Sequence, residues 1–127
     1  MDPTSAPNVP SAMGDAEYTR RAHAALAAIE ATADRWLDED VIDIDTHRTG
    51  GLLELSFPGG SKIILNTQPP LHEIWMAARA GGFHYRWVDG AWRDTRSGDE
   101  FFTALSAQAS AQGGRALVFT PSDRAAD

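Results

Sequence analysis

The chain has 127 residues, a formal net charge of −7 and no cysteine. That length suits one domain with its own core. The absence of cysteine excludes disulfides, zinc knots, thiolate catalysis and clusters held by the protein's own thiolates, and the acidic balance disfavours nucleic acid and anionic lipid as partners. No apolar run approaches the ~20 residues of a membrane-spanning helix. Met1–Met13 carries Pro3, Pro7 and Pro10 with no lysine or arginine. It therefore lacks the basic start of a secretory signal and the Arg-rich pattern of a mitochondrial presequence. This composition predicts a disordered tail and a cytoplasmic protein.

A first helix is predicted from about Asp15 to about Leu37, in a segment rich in alanine, the best helix former. At 100° per residue Leu26, Ile29, Ala33, Trp36 and Leu37 fall in one stripe, which should face the core. Glu30, Asp34 and Asp38 step by four and form a ridge beside that stripe, with His23 near its top. A period-two segment follows, Ile42 and Ile44 facing one way and Asp43 and Asp45 the other. Thr49-Gly50-Gly51 turns into Leu52–Phe57, Pro58-Gly59-Gly60 turns again, and Lys62–Leu65 reads as a third strand.

Leu71–Ala80 fits two patterns. Leu71, Ile74, Trp75 and Ala78 make a helical stripe, whereas His72, Ile74, Met76 and Ala78 share one face of a strand; local pattern leans helix. Phe83–Val88 and Ala91–Asp94 flank Asp89-Gly90, a two-residue hairpin signal. Ser97-Gly98-Asp99-Glu100 reads as a capping box, with Ser97 as N-cap and Glu100 at N3. The helix it opens carries Phe101, Phe102, Leu105 and Ala109 on its apolar face and stops at Gly113-Gly114. Leu117–Phe119 fits a short terminal strand. The predicted organisation is a tail over 1–14, a domain over 15–120 and a frayed tail over 121–127. Helix, hairpin-linked strands, helix implies an α+β two-layer sandwich, with both helices on one face of an antiparallel sheet and the other face solvated.

The densest chemistry lies between Trp36 and Asp45. Asp38, Glu39, Asp40, Asp43 and Asp45 crowd the end of a helix and the start of a strand, with Glu30 and Asp34 preceding them. Crowded like charges cost folding free energy unless a cation or a basic partner offsets them. Carboxylate oxygens are hard ligands that suit Fe²⁺, Fe³⁺, Mn²⁺, Mg²⁺ or Ca²⁺. An open ridge without an inward-pointing cage predicts weak binding at several sites and poor discrimination among metals. The plain alternatives are a solvated acidic face and a docking surface for a basic partner. No HExxH, no nucleophile–His–acid pattern and no phosphate-binding glycine loop is present. His47, His72 and His84 read as bystanders in catalysis. Trp36 and Trp92 are assigned to the core or its edge, and Trp87 is left open.

Three runs carry a resemblance: Gly59-Gly60-Ser61-Lys62-Ile63-Ile64-Leu65-Asn66, then Gln68-Pro69-Pro70-Leu71-His72-Glu73-Ile74-Trp75, then Gly81-Gly82-Phe83-His84-Tyr85. With Trp92, Asp94-Thr95-Arg96-Ser97-Gly98 and Phe101-Phe102, they resemble the frataxin family of the bacterial, CyaY type, over roughly Ala16 to Phe119. The resemblance implies a strand, not a helix, over Leu71–Ala80. It also implies an iron-binding protein of iron–sulfur cluster assembly that docks on the cysteine desulfurase and scaffold protein and modulates sulfur transfer. Iron would bind weakly along the ridge formed by Glu30, Asp34, Asp38, Glu39, Asp40, Asp43 and Asp45. Trp75 would be an exposed anchor on the open sheet face, with Asn66 and Gln68 beside it. A non-catalytic adaptor is the leading expectation, working as a monomer or as an iron-dependent oligomer. A ferroxidase or iron-storage protein and a purely acidic binding module are the alternatives. Di-iron oxidation favours carboxylates and histidines in a buried bundle core, which this chain does not encode.

Overall fold

The computed structural model describes residues 13–121. The two predicted tails lie almost wholly outside them, although Met13 is buried against the core. Helix α1 spans Asp15–Asp38 and packs on a sheet of six antiparallel strands. These are β1 (Asp45–Thr49), β2 (Leu52–Ser56), β3 (Lys62–Gln68), β4 (Glu73–Ala78), β5 (Gly81–Val88) and β6 (Ala91–Asp94), and spatial order follows chain order. Helix α2 spans Phe101–Gly113. This is the predicted two-layer α+β architecture, and β1 and β6 are its edges.

Period two decides what each strand contributes. Leu53 and Leu55, Ile63 and Leu65, Ile74 and Met76, Tyr85 and Trp92 are buried beneath the helices. From α1 they meet Tyr18, Leu26, Ile29 and Trp36, with Ala22, Ala25 and Ala33 letting the helix lie close. From α2 they meet Phe101, Phe102, Leu105 and Ala109. The other sheet face carries Asn66, Gln68, Trp75, His84 and Arg86.

The segment Leu71–Ala80 is a single 3-10 turn (Pro69–Leu71) followed by β4, as the resemblance implies and against the helical stripe. Pairing to β3 and β5 on both sides supplies the ladder that local pattern could not reveal. Asp89 and Gly90 both take positive φ, 52° and 81°, the mirror-image turn their sequence predicts between β5 and β6.

Several expectations need correction. Leu37 is 50 % exposed: in the last turn of α1 it is Trp36 that is buried in the core. Ile42–Ile44 is extended, with Ile44 buried and Asp43 exposed, but the ladder begins only at Asp45. The N-cap of α2 is Glu100, not Ser97: its carboxylate accepts hydrogen bonds from the Phe102 and Thr103 amides at 2.8 and 2.9 Å. Ser97 instead accepts from the Asp99 amide within the preceding turn.

Leu117–Phe119 joins no sheet. It runs extended along α2, where Ser106 and Ser110, one helical turn apart, bind its backbone. The Leu117 amide donates to Ser110 Oγ at 2.8 Å and the Phe119 amide to Ser106 Oγ at 2.8 Å. Ser110 Oγ in turn donates to the Leu117 carbonyl. This arrangement buries Leu117 and Phe119, and Phe119 packs on Trp36 at 4.8 Å between ring centroids.

Candidate metal edge and docking face

The end of α1 is closed by a paired backbone motif. The Val41 amide donates to the Trp36 carbonyl at 2.8 Å and the Asp40 amide to the Leu37 carbonyl at 3.2 Å. These two bonds require a left-handed residue between them, and Asp40 supplies it with φ 57°. Asp38, Glu39 and Asp40 are thereby held, exposed, at the negative end of the helix dipole. Asp34 is exposed one turn earlier, Asp43 is exposed in the segment that leads into the edge strand, and Asp45 opens that strand.

These six carboxylates differ from most acids in the molecule. Glu17 pairs with Arg21, Glu54 with Lys62, Glu73 with Arg86 and Asp15 with His72, while Asp94 and Glu100 bind backbone amides. Among the described residues none of Asp34, Asp38, Glu39, Asp40, Asp43 and Asp45 enters an ion pair. Glu30 is separate: it accepts from Arg48 of β1 at 2.8 Å. The same guanidinium donates to His23 Nδ1 at 2.9 Å, which places the imidazole proton on Nε2. Glu30 and His23 are thus occupied by Arg48. Among the described residues no three His, Asp or Glu side chains converge closely enough to hold a metal ion as a group. The edge is an open row, not a cage.

The open sheet face brings Asn66, Gln68 and Trp75 together. Asn66 lies opposite Trp75, and Trp75 opposite His84. In the next row Gln68 lies opposite Glu73, and Glu73 opposite Arg86. Trp75 is half-buried and stacks on His84, with centroids 4.1 Å apart and planes 7° apart. Beneath the stack is Glu73, which is 4 % exposed. One oxygen accepts from the Trp75 indole at 2.8 Å and the other from the Arg86 guanidinium at 2.5 Å. The carboxylate fixes the indole's orientation, so the aromatic surface at this face is held rather than free to rotate.

Tyr18 of α1 ties this face to the helix layer. Its hydroxyl donates to the Glu73 carbonyl at 2.6 Å and accepts from the Gln68 amide at 3.0 Å. Burial raises the phenol above its usual range, and the Gln68 amide opposes that. Period two along β5 places His84 and Arg86 on the same face as Trp75, so both were within reach of sequence reasoning. Glu73 was not, because only its partners on two strands make a buried carboxylate tenable.

Two helices over a six-stranded antiparallel sheet, with an acidic helix-to-strand edge, define a frataxin-like domain, and a family model of that description matches residues 11–115. The chain belongs to the frataxin family. It is 57 % identical over 108 residues to the iron–sulfur cluster assembly protein CyaY of Burkholderia mallei, covering 85 % of this chain and 99 % of that protein. Its fold matches the frataxin of Psychromonas ingrahamii, a CyaY family member, at a TM-score of 0.74 and 39 % identity, over 85 % and 99 % of the two chains. A trimeric frataxin from Saccharomyces cerevisiae, complexed with ferrous iron, is alike in fold at a TM-score of 0.55 and 20 % identity, over 90 % of this chain and all of that one.

Proposed function

We propose that this chain serves in iron–sulfur cluster assembly as a non-catalytic adaptor. It binds iron weakly on its acidic edge and docks on the cysteine desulfurase and scaffold protein through the face that carries Asn66, Gln68 and Trp75. The observation that carries this reading is that, among the described residues, Asp34, Asp38, Glu39, Asp40, Asp43 and Asp45 enter no ion pair whereas most other acids are paired or capped. Placing carboxylates at a helix C-terminus opposes the dipole by about 0.3–1 kcal/mol each. A bound cation offsets that repulsion, and an open row of hard oxygens fits Fe²⁺ at modest affinity. The strong identity to CyaY proteins supports the pathway. The rigid Trp75 anchor has the form of an interface hot spot.

A desulfurase assay with scaffold, with and without this protein and Fe²⁺, tests the proposal. Binding to the desulfurase and an iron-dependent change in sulfur transfer are expected; no binding under either condition overturns it. The lack of a converging ligand group among the described residues favours one second reading, an acidic docking edge whose metal affinity is incidental. In that case desulfurase binding is the same with and without iron. Membrane attachment is not part of the proposal: among the described residues no helix is long and apolar enough to cross a membrane.

A further inference from the structure

We infer that the cleft between β5, the turn 94–99 and α2 is a binding site for a primary alkylammonium group. The cleft has a volume of about 480 Å³, within the range of small-molecule sites. Met76, Phe83, Ala104 and Ala107 give it apolar walls, and Asp94 and Asp99 lie on its polar side.

Tyr85 is the observation that points to a ligand. Its side chain is 1 % exposed, yet its hydroxyl makes no hydrogen bond among the described residues. The enclosed, unpartnered side-chain atom found among those residues is Arg86 Nε. The Tyr85 hydroxyl therefore keeps contact with the space of the cleft that Tyr85 lines. A hydroxyl that no protein group engages and that faces this space is available to a ligand donor or acceptor in place of water. Burial and the negative charge of Asp94, Asp99 and Glu100 raise this phenol far above its usual range, so it stays a neutral hydroxyl.

The charge of the ligand follows from the same neighbours. Asp94 Oδ1 accepts the Arg96 and Ser97 amides, and among the described residues its second oxygen has no partner. The Asp99 carboxylate enters no ion pair among the described residues. Among the lining residues two carboxylates stand against one guanidinium, that of exposed Arg96, beside the His84 imidazole, while the Arg93 guanidinium, outside the lining, donates to the Gly98 carbonyl. A hydroxyl and unpaired carboxylate oxygens accept the three N–H bonds of an ammonium, and the apolar walls suit an alkyl chain. A bare metal ion would find too few oxygens, since among the described residues no three acidic or histidine side chains converge. The inference is independent of the proposed role in cluster assembly.

Amide NMR on the intact chain, titrated with n-pentylammonium, n-pentanol and n-pentanoate, tests it. The ammonium should give saturable shifts at Phe83, Tyr85, Ala104 and Gln108 with a Kd on the order of millimolar. The alcohol and the carboxylate should bind at least tenfold more weakly, on the order of one charge-assisted hydrogen bond. Tyr85→Phe, which keeps the ring and its packing, should weaken ammonium binding about tenfold, and so should Asp99→Asn at an exposed position. Equal binding of the three isosteres, shifts confined to residues 34–45, or unchanged affinity in both variants would overturn the inference. Spermidine and Nα-acetyl-lysine methylamide then separate the sources. Tighter binding of spermidine assigns a free polyamine, and equal or tighter binding of the lysine derivative assigns a lysine side chain of another protein.

Discussion

Trp75 is held by a stack on His84 and by one hydrogen bond to the buried Glu73, so its removal has two separable effects. Trp75→Ala should lower folding stability by about 1 kcal/mol, because Glu73 loses one donor but keeps Arg86. It should weaken desulfurase binding by more, on the order of 2 kcal/mol, as loss of a rigid aromatic anchor does. Denaturant unfolding and a binding isotherm on the same sample distinguish them; unchanged affinity per folded molecule would make Trp75 a packing residue only. Tyr18 and Tyr85 add a pH effect. Both phenols are raised in the fold, so above about pH 10 the unfolded chain loses protons that the folded chain keeps. The contribution of the two phenols to stability should therefore be constant below about pH 10 and be lost as pH rises past it. Tyr85→Phe should reduce that alkaline slope, and an identical slope in the variant would contradict the assignment. At this scale the resemblance, against the local helical stripe, placed Trp75 on the open face, and Glu73 and Glu30 were opaque. Each is defined by an arginine 13 or 18 residues away that only the fold brings near.

The end of α1 and the end of α2 show how elements are closed. Asp40 occupies a left-handed position that glycine fills without strain, and its charge opposes the helix dipole. Asp40→Gly should stabilise the metal-free protein by about 1 kcal/mol, read as a raised midpoint in urea. A loss of stability would mean that the carboxylate is structural. Along α2, Ser106 and Ser110 are the backbone partners of the last extended segment. Replacing both by alanine should cost about 1–3 kcal/mol and speed hydrogen exchange at the Leu117 and Phe119 amides first. Uniform acceleration across the sheet would contradict that local role. Elements were readable where local signals agree: the Ala-rich α1, the Asp89-Gly90 hairpin and the strands around it. They were misread where two local signals compete. Ser97 and Glu100 both fit a cap, and the positive φ of Gly98 keeps the chain in a turn until Glu100. Leu117–Phe119 has strand composition, but its hydrogen bonds come from serine side chains on a helix, which no strand pattern encodes.

At the scale of the whole molecule, sequence alone indicated two layers with one free sheet face, because two amphipathic helices need one apolar surface between them. It could not separate paired acids from unpaired ones, since pairing depends on which cations the sheet brings within reach. The fold sorts them. Glu30 goes to Arg48, while among the described residues Asp34, Asp38, Glu39, Asp40, Asp43 and Asp45 enter no ion pair. That row is the centre of the proposed iron chemistry, and backbone NMR under anaerobic titration with Fe²⁺ tests it most directly. Broadening should begin at residues 34–45, and the Glu30 region, already paired, should follow only at higher iron. Broadening centred on His72 or His84, or none at all up to several equivalents of iron, would contradict the account.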